Sequence, residues 1–387
     1  MARRPRGHIE KRGDGVYRIT IFLGRRPDGK PNRYRETFYG DRDAAEARLT
    51  ALLHQMDVGK LATGGNMSFA DLLRRWLRDY AELQTGYLTV QEYRRLIERR
   101  IIPALGQIPV GKLAPIHIQT FYASLQRDGA RMDGKPGGLS ARSIRQIHAI
   151  IHGTLAYAVD PLRIISHNPA DNARLPKLTK PQKRRWNALQ LQRFLAGIKD
   201  HPDRALMMTL AYTGMRLGEA LALRVSDLDF ATRTITVDEG LKRPGKHPVL
   251  GPTKSHQVRE IPMDDELARV LRSHVAAMYE RKLAMGREWN PLDLVFPSEA
   301  GTPISKSNWR NRVWVPLLER LGLPYINIHG LRHTFGTLLA QDGTDPSTIR
   351  DLMGHHSAAF TMDEYVHSDE DVRRSAVSSF ARRVSGR

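Results

Sequence analysis

The 387 residues carry 61 Lys plus Arg against 41 Asp plus Glu, a formal net charge of +20, with 41% hydrophobic residues and no cysteine. That length exceeds one compact core and calls for two or three domains of ~100 to 200 residues each, and the charge calls for a polyanionic partner, nucleic acid ahead of a membrane surface. Zero cysteines exclude disulfides, thiolate metal sites and thiol nucleophiles, so covalent chemistry must use an oxygen, an amine or an imidazole.

The start, MARRPRGHIEKRGDG, lacks the apolar stretch of a secretion signal, and no apolar run approaches the ~20 residues that cross a bilayer. A soluble, cytosolic protein without a membrane partner is the expectation. In VYRITIFLGRRPDGKPNRYRETFYG, residues Tyr17, Ile19, Ile21 and Leu23 alternate with polar ones, and Pro27-Asp28-Gly29 turns the chain into a hairpin. A helix follows with Asp41 as N-cap and Leu49, Leu52, Leu53 and Met56 at helical spacing. Residues 1–62 thus predict a small three-stranded sheet plus a helix. Its basic side chains Arg18, Arg25, Arg26, Lys30, Arg33 and Arg35 read as a solvated face, or as a ribbon that enters a groove of DNA.

Residues 66–175 predict a helical bundle. Ser68 and Asp71 form a capping box ahead of a stripe of Phe69, Leu72, Leu73, Trp76 and Tyr80. Thr89 and Glu92 repeat the device, with Arg94, Arg95, Arg99 and Arg100 beside the apolar positions. A third helix follows Pro115, and a fourth aligns Ile144, Ile147, Ile151, Leu155 and Ala158. His148 and His152 stand at i and i+4, a spacing compatible with a metal, but no acidic or third ligand is recognisable nearby, so they read as ordinary helix-surface or partly buried histidines and no metal site is expected. The proline-rich, basic stretch 176–186 reads as a linker, with Lys183 and Arg184 placed to run along phosphates.

Residues 187–387 predict a third, mainly helical domain with a small antiparallel sheet. Arg216 follows the Thr213-Gly214 turn at the start of a helix, amid hydrophobics, and there it needs an anion or a carboxylate partner. Two strand-like runs, TRTITVD and HQVREIPMD, flank a turn-rich segment that projects Lys254. INIHGLRHTFGTLL brings His329, Arg332 and His333 to the entry of another helix, and LMGHHSAAFTMDEYVH supplies His355 and Tyr365. A tail helix beyond Tyr365 aligns Val372, Ala376, Val377 and Phe380.

The series Arg216, Lys254, His329, Arg332, His355, Tyr365 resembles the active-site signature of the tyrosine recombinases, the phage integrase family. TGMRLGEALAL is similar to that family's first arginine box, HGLRHTFGTLL to its His-x-x-Arg box, and the Leu-Gly-His to Tyr stretch to its third box, with Met353 in the apolar place. Three boxes in order over some 150 residues make chance a poor explanation. The resemblance implies an α+β multidomain protein whose first two regions serve as arm-binding and core-binding domains. It implies a metal- and ATP-independent enzyme with no cofactor, which cleaves and rejoins DNA through a 3'-phosphotyrosyl intermediate to integrate or excise a phage or mobile element.

The residue chemistry agrees with that implication. Two guanidinium forks, Arg216 and Arg332, suit the nonbridging oxygens of a phosphodiester, whose transition state gathers negative charge. Tyr365 is the nucleophile, His329 the general base, Lys254 the proton donor to the leaving 5'-oxygen, and His355 a hydrogen-bond donor to the phosphate. Candidate DNA contacts are Arg18, Arg25, Arg26, Arg33, Arg35, Arg95, Arg99, Lys183 and Arg184. The resemblance also implies double-stranded attachment sites, a homotetramer in the synaptic complex, tail exchange between protomers, and an excision factor or host DNA-bending protein as accessory. A type IB topoisomerase-like relaxing enzyme and a DNA-binding protein with a decayed catalytic fold are the alternatives. The arm-like module argues against the first and the intact six-residue set against the second.

Overall fold

A computed structural model describes residues 7–25, 29–57, 67–179, 184–243, 248–253 and 257–354, together with Ser378, Arg382, Val384 and Ser385. The alternating N-terminal segment forms strands β1 (Gly7–Gly13), β2 (Val16–Arg25) and β3 (Pro31–Tyr39), antiparallel in the order β1-β2-β3. Period-2 alternation separates the two faces of such a sheet. Ile19 and Ile21 are fully buried and pack with Ile9, Leu23, Tyr34 and Phe38 on Leu49, Leu52, Leu53 and Met56 of helix α1 (Arg42–Asp57). The Asp41 carboxylate accepts the Ala44 N–H at 2.7 Å, the expected N-cap. Residues 26–28, the turn expected between β2 and β3, lie outside the described residues.

Four main helices make the next core: α2 (Phe69–Trp76), α3 (Tyr87–Leu96), α4 (Pro115–Gln126) and α5 (Ala141–Val159). The Ser68 hydroxyl accepts the Asp71 N–H at 3.1 Å, and Ser140 accepts from Ser143 at 3.2 Å. Phe69, Leu72, Leu73, Ile144, Ile147, Ile151, Leu155 and Ala158 are all buried in one cluster. Two expectations are corrected. Tyr80 continues the stripe by stacking on Trp76 at 6.2 Å but is 48% exposed rather than buried, where the turn after α2 widens to a π-helix over Leu77–Ala81. Helix α3 begins at Tyr87 with Gly86 as N-cap, so Thr89 lies inside the first turn and does not cap it. His152 does have an acidic neighbour, since its Nε2 lies 3.1 Å from Asp171; the Nδ1 of His148 instead meets the Tyr122 hydroxyl at 2.9 Å. Among the described residues no group of three His, Cys, Asp or Glu could hold a metal.

The chain divides into two units, Met1–Lys180 and Pro181–Arg387. The second has its own core. It runs through α6 (Ala188–Gly197), α7 (Arg204–Thr213), α8 (Leu217–Ala220), β4 (Leu228–Asp229), β5 (Thr234–Val237), β6 (Glu239–Arg243), β7 (Val249–Pro252), β8 (Arg259–Pro262) and α9 (Asp265–Met285). Then come α10 (Lys306–Trp309), α11 (Val315–Leu321), α12 (Ile328–Gln341) and α13 (Pro346–Met353). Strand β5 pairs antiparallel with both β4 and β8, while β6 and β7 form a separate hairpin. The segment read as turn-rich therefore contains two strands of its own. Its short runs, LKR and VL, are too brief and too broken by Gly and Pro to show a period.

Trp186, the last residue of the expected linker, is a core residue at 1% exposure. Its ring packs on Phe194 and Trp314 at centroid distances of 5.1 and 6.0 Å, and its indole N–H donates to the Pro324 carbonyl. The backbone N–H of Trp186 donates to the Thr334 hydroxyl, and the indole of Trp314 to the Ile326 carbonyl. These bonds fasten the approach to α12 and the helix itself. Trp186→Ala is expected to cost about 3–5 kcal/mol through the cavity and the lost indole bond, seen as a lowered urea midpoint with unchanged slope. A wild-type midpoint would contradict this packing.

Candidate active site

Helix α7 ends at Gly214, whose φ of +60° is the left-handed conformation that favours glycine. A Cβ there would also lie 2.5 Å from the Phe335 ring of α12, so both the turn and the approach of the two helices need a residue without a side chain. The turn delivers Arg216 to the N-cap of α8. Its guanidinium is half-buried and meets the expected carboxylate: Nη1 donates to Glu219 Oε1 at 2.7 Å, and the Arg216 backbone N–H donates to Oε2 at 3.0 Å. Arg216 Nη2 donates to the Gly354 carbonyl at 3.2 Å, across 138 residues of chain.

Arg332 comes from the first turns of α12 and is 2% exposed. Its Nη1 donates to the Gly214 carbonyl at 2.8 Å, which ties it to the turn that presents Arg216. Gly330, between His329 and Arg332, has no room for a side chain, since a Cβ would lie 2.8 Å from Ile326. His329 is exposed one turn ahead of His333, the two rings 4.7 Å apart and edge-on. Arg216 at the start of α8 and Arg332 near the start of α12 are thus tied to one turn, and His329 stands on the same helix as Arg332.

Two further residues join the cluster without having stood out in the sequence. Arg259 of β8 is 8% exposed, and its Nη2 donates to Glu219 Oε2 at 2.6 Å while its Nε donates to the Leu352 carbonyl at 3.1 Å. Burial by itself pushes the Glu219 carboxyl up, but the Arg259 and Arg216 charges outweigh it and hold the pKa below the usual carboxylate range. Lys306, at the start of α10, is exposed as a whole, yet its ammonium comes within 2.6 Å of where a Cβ on Gly218 would sit. Desolvation lowers its pKa, against the pull of Glu219. The alternation in REIP gave a signal for burial of Arg259, but nothing local named its partner.

Lys254, His355 and Tyr365 lie outside the described residues, as do Arg26, Lys183, the side chain of Arg25 and, apart from Ser378, the tail expected to form a helix over 372–380. Among the DNA-contact candidates, Arg33 and Arg35 are exposed on the sheet face opposite α1, and Arg18 is half-exposed on that same face. There Arg35 stands across from Thr20, and Arg33 from the 46% exposed Phe22. Arg95 forms a bidentate pair with Glu92, its charge already compensated, whereas Arg99 and Arg184 are exposed.

Two guanidiniums held in fixed orientation, with an exposed imidazole on the same helix as one of them, suit a phosphodiester, because planar forks match its nonbridging oxygens and a histidine can move a proton. Residues 185–371 match the model of the phage integrase family, and residues 68–126 that of the phage integrase N-terminal SAM-like domain. A tyrosine recombinase XerC-like protein of Caldanaerobacter subterraneus subsp. tengcongensis is 25% identical, over 95% of this chain and 96% of that one. The fold is similar to that of the Tn1549 transposon integrase in complex with a circular intermediate DNA, with TM-score 0.64 and 22% identity over 81% of this chain and 99% of that one. It is also similar to the lambda integrase tetramer bound to a Holliday junction, with TM-score 0.59 and 17% identity over 95% and 99%. The chain belongs to the phage integrase family. It is a tyrosine recombinase, an enzyme of site-specific DNA recombination, and not a relaxing topoisomerase.

Proposed function

We propose that this recombinase cuts one DNA strand by attack of the Tyr365 hydroxyl on a phosphodiester, holds the broken end as a 3'-phosphotyrosyl ester, and passes it to a different 5'-hydroxyl. The observation that carries this reading is the convergence of Arg216 and Arg332 on the Gly214 turn, with His329 on the same helix as Arg332. The forks stabilise the charge that builds on the nonbridging oxygens. In this reading His329 takes the phenolic proton, Lys254 protonates the leaving 5'-oxygen and His355 donates a hydrogen bond to the phosphate. The ester keeps the bond energy, so resealing needs neither ATP nor a metal.

The substrate is a pair of double-stranded attachment sites, one on a phage or mobile element and one on its bacterial host, and four copies of the chain assemble on them. The lambda integrase tetramer on a Holliday junction supports that assembly by analogy. Residues 66–175 and 187–387 grip the core site, joined by the basic linker 176–186 with Lys183 and Arg184, and residues 1–62 bind a separate arm site. Arg18, Arg33 and Arg35 on one sheet face favour the last role, since a three-stranded sheet fits a groove of DNA. An excision factor or host DNA-bending protein sets the direction, and the tail beyond Tyr365 docks on a neighbouring protomer.

The test uses the full chain and a duplex selected by binding from a random-sequence pool, nicked next to the cleavage point so that resealing is blocked. Covalent protein–DNA adducts that depend on the selected sequence are expected; adducts on any sequence, or none, would contradict the proposal. For the sheet face, replacing Arg33 and Arg35 by alanine is expected to flatten log K against log salt by about 0.9 for each phosphate they neutralise. A slope unchanged on a mixed-sequence duplex would remove them from the interface.

A further inference from the structure

Arg259 occupies a place that strand cleavage, as read above, leaves without a role. Its strand, β8, is the one that follows the segment carrying Lys254, and its guanidinium reaches two other parts of the site at once. Nη2 donates to Glu219 Oε2 at 2.6 Å, and Glu219 in turn receives both the backbone N–H and Nη1 of Arg216. Nε donates to the carbonyl of Leu352, three residues ahead of His355. Gly354, at φ +64°, lies flat on the same guanidinium: a Cβ there would come within 2.9 Å of Nη1 and 3.2 Å of Cζ. Arg216 Nη2 donates to the Gly354 carbonyl, so the two arginines hold the end of α13 from two sides, and Glu219 joins them.

Resting on the strand-cleavage reading, we propose that Arg259 is a positioning residue for cleavage: its fork clamps the Glu219 carboxylate that orients Arg216 and the end of α13 that leads into His355. A fork suits the task because two donors fixed in one plane set the direction from which Glu219 and Leu352 approach each other, which a point-charged ammonium does not do. Glu219 shares its carboxylate between two guanidiniums, so without Arg259 it is free to rotate toward Arg216 and draw that fork away from the phosphate. Burial would then raise the Glu219 pKa with less to oppose it. The charged groups facing Glu219 are Arg216 at the start of its own helix, Arg259 from β8, and Lys306 from α10.

The full chain, its Arg259→Met and its Arg259→Lys variants are compared on the nicked selected duplex, with binding read by mobility shift and single-turnover cleavage read from pH 5.5 to 8.5. Arg259→Met is expected to bind within about threefold of wild type and cleave on the order of 100-fold more slowly, as for loss of a preorganised donor set. Its cleavage should also gain an acid limb, because a Glu219 whose pKa has risen takes up a proton as pH falls and releases Arg216. Wild type, with Glu219 held ionised, shows only the limb that protonation of the His329 base gives, so the variant's profile is expected to fall more steeply on the acid side. Arg259→Lys keeps the charge but not the fork, so it is expected to cleave about tenfold more slowly with unchanged binding. That variant decides the matter if Arg259→Met does not fold. Wild-type cleavage by either folded variant, or binding and cleavage lost in equal proportion, would overturn the clamp. A wild-type chain that forms no adduct would overturn the cleavage reading itself and the clamp with it.

Discussion

With Arg216 replaced by alanine, cleavage of the selected duplex is expected to fall by roughly 10³-fold while binding falls by only a few-fold. The asymmetry follows from what the side chain does. In the resting site its guanidinium is neutralised by Glu219 and bonded to the Gly354 carbonyl, so it is fixed before DNA arrives. A fixed cation costs no reorganisation when charge appears on the phosphate, and removing one such donor typically loses ~10²–10³ in rate. Binding of a duplex is spread over many phosphates, each a small share of the total. Arg216→Lys is expected to recover little, because an ammonium cannot bond Glu219, Gly354 and a phosphate oxygen with the same planar geometry. Single-turnover cleavage and mobility shift on the same duplex measure both effects. An alanine variant that cleaves within tenfold of wild type would remove Arg216 from the transition state.

The second large effect is expected for Tyr365→Phe. Deleting one oxygen removes the only atom assigned to bond the DNA end, so covalent adducts should vanish altogether rather than decline. A phenol with a pKa near 10 is a poor nucleophile until its proton is taken, and a phenyl ring offers no atom that could attack in its place. Binding should persist, since the ring remains. Residual adduct formation at even about 1% of wild type would point to a different nucleophile.

Much of this architecture was legible in the sequence because its signals are local. The alternation of Tyr17, Ile19, Ile21 and Leu23, the caps at Asp41 and Ser68, and the stripe from Ile144 to Ala158 each depend on neighbours a few residues away. The missed features depend on distant partners or on backbone detail. Strands β6 and β7 are too short to carry a period, and the exposed Tyr80 lies in a π-turn that one extra residue creates. The carboxylate required by Arg216 was foreseeable as Glu219, one turn on. The second arginine on that carboxylate was not, because Arg259 is 40 residues away and looks like an ordinary polar position in an alternating strand. Likewise Trp186 reads as the end of a basic linker until Phe194 and Trp314 are seen around it.

The proposed chemistry rests on cationic forks gathered about one phosphate that a single phenolic oxygen attacks. The most direct test is to trap the wild-type adduct on the nicked duplex, digest both protein and DNA, and sequence the nucleotide-bearing peptide by mass spectrometry. The expected product is one peptide containing Tyr365, esterified to a 3'-phosphate. A nucleotide on any other residue, or a 5'-phosphate linkage, would contradict it.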